Sequence, residues 1–206
     1  MNRLLRPIIQ AIVLVCFWGT LCSANPAYYT EFASGTGYLG AHVFTDAGLF
    51  VRAFGDTSNA STNCATFCSN IATRTQIGVR IGQGPVFTAF LINATFGAFV
   101  DNTGGTPEVG IAEFSPLSFP VIATFNPAFQ FYDLRRGIFL SGPGLSRPPD
   151  VIFNTTLGDF HLSSISARTT FAARVPEPSS FVMFGSGAGL IVLYFLRLSL
   201  RSHRTT

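Results

Sequence analysis

From Asn25 to about Arg174 the chain alternates apolar and polar residues with a period of two, in short runs, and no stretch of ten residues repeats at the helical period. Ile71 to Ile81 shows this most clearly. Ile71, Thr73, Thr75, Ile77, Val79 and Ile81 share one face, and Arg74, Gln76 and Arg80 lie on the other, as in a strand with one buried side. Phe90 to Val100 repeats the pattern through Phe90, Ile92, Ala94, Phe96, Ala98 and Val100, and Asp101-Asn102-Thr103-Gly104-Gly105 then marks a turn. Further strands are predicted over Tyr38–Thr45, Leu49–Phe54, Val109–Phe114, Pro120–Phe125, Phe129–Leu134, Val151–Leu157, His161–Ser166 and Thr169–Val175.

Many short strands with turn signals between them, rich in Phe, Thr, Val, Ile and Gly, predict an all-β fold. The expected architecture is one antiparallel β-sandwich or jelly roll over residues 25–174. A chain of about 150 residues is long enough to bury one such core. A weak echo recurs near every thirty residues, at Ile92–Phe96, Ile122–Phe125 and Ile152–Thr156. It reads as a solenoid repeat or as vocabulary shared by strands. The spacing is not sustained on either side, which favours the second reading.

The two ends follow a different pattern. Arg3 and Arg6 precede an apolar run from Ile8 to Trp18, broken only by Gln10, and Cys22-Ser23-Ala24 places small residues before Asn25. This is the layout of a secretory signal peptide over residues 1–24, cleaved between Ala24 and Asn25. An uncleaved anchor is the alternative, but the run is short for a membrane span. A lipoprotein is disfavoured because bulky Val15 and Leu21 precede Cys16 and Cys22.

At the other end, Val175-Pro176-Glu177-Pro178-Ser179-Ser180 leads into an uncharged run from Phe181 to Leu196, closed by Arg197, Arg201, His203 and Arg204. Sixteen helical residues rise about 24 Å. Leu198 to Leu200 extend the span to residue 200 if Arg197 snorkels to the interface. The terminal arginines are expected to stay cytoplasmic, which puts the preceding domain outside, in agreement with the signal peptide.

Two prolines keep Pro176 to Pro178 extended and outside any helix, a form that a processing enzyme can grip. The order of Val175-Pro176-Glu177-Pro178, the Gly-rich helix Gly185-Ser186-Gly187-Ala188-Gly189-Leu190 and a basic end over 197–206 resembles the PEP-CTERM sorting family. The resemblance covers only the tail, residues 175–206. It implies recognition by exosortase, a membrane enzyme resembling a cysteine transpeptidase. It also implies a Gram-negative host that makes extracellular polysaccharide, with an inner-membrane intermediate that is then moved to the cell surface or extracellular matrix. An ordinary proline-containing linker before a membrane anchor is the simpler alternative.

Charge and cysteine usage narrow the choice of partners. The formal +3 of the chain belongs to its ends, because residues 25–175 hold eight arginines and nine acids, a net charge of −1. No basic domain points to nucleic acid. Once the signal peptide is removed, Cys64 and Cys68 remain, and an even pair in an exported protein favours a disulfide over a small loop. No histidine or second cysteine pair accompanies them to make a metal site.

Catalytic chemistry finds no foothold in motif form. His42 and His161 lie in no metal-spaced or nucleophile-flanked pattern, and Gly-x-Ser-x-Gly is missing from the outer domain. A glycosidase needs two facing carboxylates. The nine acids (Glu31, Asp46, Asp56, Asp101, Glu108, Glu113, Asp133, Asp150 and Asp159) reveal no such pair in sequence. Asp101-Asn102 lacks EF-hand spacing for calcium.

The expectation is therefore a non-enzymatic, cofactor-free component of the envelope or a biofilm, structural or adhesive. The 22 phenylalanines leave two further roles open, a carbohydrate platform or a self-association patch. A carbohydrate-binding module is the alternative, and an enzyme acting on polysaccharide a third reading.

Overall fold

The computed structural model describes residues 25–61, 64–115, 119–146 and 151–175, which belong to one compact unit, Asn25–Val175. The expected signal peptide (residues 1–24), Pro176, Glu177, Pro178, the apolar run of about 181–200 and the basic end lie outside the described residues.

Twelve strands follow in chain order: β1 Pro26–Leu39, β2 His42–Asp56, β3 Phe67–Ile71, β4 Arg74–Arg80, β5 Val86–Phe90 and β6 Phe96–Asp101, then β7 Glu108–Glu113, β8 Phe119–Phe125, β9 Ile138–Ser146, β10 Ile152–Thr155, β11 Gly158–Ile165 and β12 Arg168–Arg174. All pair antiparallel in one large sheet ordered β3-β6-β7-β8-β9-β12-β1-β2-β4-β5, with β11 beside the far half of β1 and β10 beside β11. The chain is all-β, as the alternation predicts.

The sheet doubles back at β9. Ile138–Pro143 pairs with β12, and Gly144–Ser146 pairs with β8. Gly142 permits this, because a Cβ there would run into the carbonyl oxygen of Phe125 at the end of β8. β1 and β2 consequently pack against β6, β7 and β8. Their inward residues alternate, Tyr29 on β1 and Leu49, Val51 and Ala53 on β2, and meet Val100, Val109, Ile111 and Ile122 in one core cluster.

Several expected elements are corrected. Phe129–Leu134 is not a strand. Pro127 starts a 3-10 turn over Pro127–Phe129, capped by Asn126, and Phe131 and Leu134 take left-handed φ of 65° and 61°. The segment instead plugs one end of the core with Phe129, Tyr132 and Leu134, all fully buried. Phe90–Val100 breaks between β5 and β6, with Asn93 at φ 65°. Ile71–Ile81 is two strands: β3 pairs with β6, while β4 pairs with β2, and only Thr75, Ile77 and Val79 are buried as the alternation implies. Tyr38–Thr45 turns back on itself between β1 and β2. The long first half of β1 and all of β9 were not anticipated. The three thirty-residue echoes fall before and into β6, inside β8, and in β10, and share no structural role.

Candidate ligand-binding face

The same alternation that buries Tyr29 and Glu31 turns Tyr28 and Phe32 outward on β1, and Thr30 lies between them on that side, itself buried. Register then decides what stands beside them. Tyr28 lies opposite Arg174 on β12 and Phe54 on β2, and Phe54 opposite Arg74 on β4. Thr30 lies opposite Ala172 and Arg52, Arg52 opposite Gln76, and Gln76 opposite Phe90 on β5. Phe32 lies opposite Thr170 and Phe50, and Phe50 opposite Gly78. A Cβ at Gly78 would meet the Phe50 ring, so that ring lies over the glycine. On the far side Phe139 of β9 faces Ala172.

The result is a face six strands wide, about 24 Å at ~4.8 Å per strand, tiled with rings and guanidinium groups. Phe139 is 70% exposed, Phe32 40% and Tyr28 38%. The rings are held by neighbours. Tyr28 and Phe54 meet edge to face at 5.6 Å between centroids. Arg74 lies over Phe54 at 4.5 Å and Phe90 at 5.6 Å, and Arg52 lies over Phe50 at 5.2 Å. Arg52 Nε also donates to Thr30 Oγ1 at 3.1 Å. Arg80 of β4 and Arg168 of β12 complete the cations. The acids of β2 sit at the margins: Asp56 accepts from the Ser58 amide, and Asp46 lies in a bulge beside Thr36.

At the β9 edge a groove of about 420 Å³ is lined by Phe125, Asn126, Ser141, Pro143 and Arg168. Its polar wall is preset. Asn126 Nδ2 donates to the Ser141 carbonyl at 2.9 Å and its Oδ1 accepts from the Ala128 amide at 2.9 Å, while the Ser141 and Thr170 hydroxyls share a bond of 2.7 Å. Rings for stacking, guanidinium forks for anions and neutral hydrogen-bonding groups at a rim suit binding of an extended polar chain.

The remaining acids do other things. Glu31 is fully buried beneath the face, and burial first, then the charge of Glu108, holds its carboxyl well above the usual range against the opposing hydrogen bond of Thr124. Thr124 Oγ1 donates to Glu31 Oε2 at 2.9 Å, the Thr124 and Thr169 hydroxyls share a contact of 2.7 Å, and Thr169 Oγ1 donates to the Ala123 carbonyl at 3.1 Å. Glu108 lies opposite Asp101 across β6 and β7, and burial, aided by that neighbour, pushes it up to about 7.

Of the residues singled out in sequence, Cys64 and Cys68 form a disulfide with Cα atoms 4.7 Å apart. Asn25 begins the compact unit, and Val175, partly buried, packs against its core. Ala24 lies outside the described residues, as do Pro176, Glu177 and Pro178. His161 stacks on Tyr38 and His42 on Phe87, on different strand pairs. Among the described residues no group of three or more His, Cys, Asp or Glu could hold a metal ion, and no helix is long and apolar enough to cross a membrane. The face itself escaped the sequence reading. Its signal was the outward set of β1 and β2, where aromatics and Arg52 stand at positions that a solvated strand fills with small polar residues. No protein-family model, curated protein or solved structure matches this chain.

Proposed function

We propose that this chain is an exported protein of the bacterial surface, sorted by an exosortase, whose β domain acts as an adhesive or structural holder of envelope or biofilm polysaccharide. The domain is a two-layer β-sandwich that presents one outer face to the glycan. The observation that carries the reading is the row of Tyr28, Phe54 and Arg74, because side chains that could be small and polar on an outer face are large, flat and mutually braced. Pyranose rings pack their C–H faces on such aromatics, and guanidinium groups hydrogen-bond their substituents.

Export and sorting rest on the order of parts in sequence: Arg3 and Arg6 with their apolar run, then Pro176-Glu177-Pro178, an uncharged run and terminal arginines. A carbohydrate-binding role is favoured over a purely scaffolding one by the face, and no catalytic role is assigned.

Fractionation tests the sorting half. Replacing Pro176, Glu177 and Pro178 by Ala should leave the protein in the inner membrane, unprocessed and at higher apparent mass. Deleting residues 181–206 should release it to the periplasm. Display of the triple-alanine protein like the wild type would reduce the tail to a plain membrane anchor. Co-sedimentation of the full-length protein with the host's own extracellular polysaccharide tests the other half.

A further inference from the structure

We infer that the chain held by this face is an acidic polysaccharide, one that carries carboxylates along its backbone as a uronate polymer does. The inference rests on the polysaccharide-holding reading above and adds the charge class of the ligand.

Its basis is an asymmetry. Residues 25–175 have a net charge of −1, yet five of their eight arginines, Arg52, Arg74, Arg80, Arg168 and Arg174, stand on this one outer face. Their cross-strand neighbours are aromatic, aliphatic or neutral polar, and none is a carboxylate. A structural arginine on a sheet surface gains from an acid directly opposite it. None of these has an acid directly opposite it, so no cross-strand carboxylate competes with a ligand for them.

Placement adds a second argument. Arg174 and Arg74 flank the Tyr28–Phe54 pair in one row across β12, β1, β2 and β4, about 14 Å apart at ~4.8 Å per strand. Arg52 sits one row over, braced on Phe50 and tied to Thr30. Stacking leaves the edge of a guanidinium open for bidentate bonding to a carboxylate. A polymer that offers a sugar face and a carboxylate on each residue meets rings and forks together on the Tyr28–Phe54 row and on the neighbouring Arg52 row that ends in Phe90. A neutral polymer would use the rings and leave five cations uncompensated.

The test measures binding of the full-length protein, held in neutral detergent, to polygalacturonate, to its carboxyl-reduced neutral derivative and to duplex DNA at equal charge concentration. Polygalacturonate should bind at least about tenfold more tightly than either comparator, and its affinity should fall as salt screens the contact. Arg52→Gln with Arg74→Gln should weaken it roughly five- to tenfold. Arg80→Gln should weaken it by less, and serves if the double variant does not fold. Arg136→Gln, off the face, should leave binding unchanged. Equal binding of the neutral derivative would overturn the acidic assignment while leaving the polysaccharide reading intact. Binding of neither polymer would overturn both. Equal binding of DNA would mark a general polyanion surface and overturn the assignment. Occlusion of the face by self-association of the chain would do the same.

Discussion

Cζ of Arg74 lies 4.5 Å from the centroid of the Phe54 ring, directly across the β2–β4 ladder, while Phe54 meets Tyr28 of β1, across its other ladder, at 87° between ring planes. The pair is both brace and contact surface. Phe54→Ala should therefore cost about 1 kcal/mol of stability through the lost cross-strand and cation–π contacts. It should weaken polygalacturonate binding more strongly, by about tenfold, or about 1.4 kcal/mol. Urea denaturation and equilibrium binding measure the two effects. Unchanged affinity in a folded variant would remove Phe54 from the contact.

Stability should depend on pH in the direction opposite to an ion-paired acid. Glu31 stays protonated in the folded chain well above 4.5 and ionises normally when unfolded, and Glu108 does so up to about 7. Their contribution is fully present below about pH 4.5 and is lost as pH rises through the folded values. The urea midpoint should fall as pH rises from 4.5 through about 7, the folded value of Glu108, with Glu31 adding to the fall in the same direction. Glu31→Gln, which keeps an oxygen to accept from Thr124 and does not titrate, should flatten that slope and stabilise the protein at neutral pH. A variant with the wild-type slope would show that Glu31 is ionised in the core.

Tyr29 ties three elements together. Its hydroxyl donates to the Leu134 carbonyl at 2.5 Å and accepts from Asn70 Nδ2 at 2.8 Å, and burial raises its pKa. Its ring stacks near Phe171, which also meets Phe129 and Tyr132 of the plug. Tyr29→Phe keeps the ring but leaves the Leu134 carbonyl without this donor, so a loss of about 1–3 kcal/mol is expected by urea denaturation. A change below about 0.5 kcal/mol, within the range of ordinary surface substitutions, would contradict a structural role for the hydroxyl.

The disulfide closes a loop with a sequence separation of 4, so it removes little chain entropy. Replacing Cys64 by Ser and Cys68 by Ala together should cost at most about 2 kcal/mol, at the bottom of the usual range for a native bridge. Thermal unfolding with and without reductant checks this. Collapse of the fold on reduction would show that the clip holds more than its own loop.

The fold class was legible because burial follows side-chain period, and Thr75, Ile77 and Val79 obey it. Element boundaries were less so. Ile71 and Ile81 continue the period on paper, but the chain changes partner strand at Ala72-Thr73, which no local pattern records. Phe129 and Tyr132 read as strand residues by composition, and Pro127 with the left-handed Phe131 overrode that. The candidate face was illegible for a related reason. Phe54, Arg74 and Phe90 belong to three different strands, and only register brings them together. The deep burial of Glu31 also depends on tertiary placement, since nothing beside it in sequence marks it as a core residue.

On the proposed function, the outer rows of β1, β2, β5 and β9 touch glycan. Hydroxyl-radical footprinting of the full-length protein, read residue by residue by mass spectrometry with and without polygalacturonate, tests it most directly. Tyr28, Phe32, Phe90 and Phe139 should lose reactivity on addition of the polymer. Phe131, 75% exposed on the plug, and Phe67, 42% exposed on β3, should not change. Protection of Phe131 and Phe67 with no change at Tyr28, Phe32, Phe90 and Phe139 would place the polymer elsewhere on the domain and rule out this face as its site.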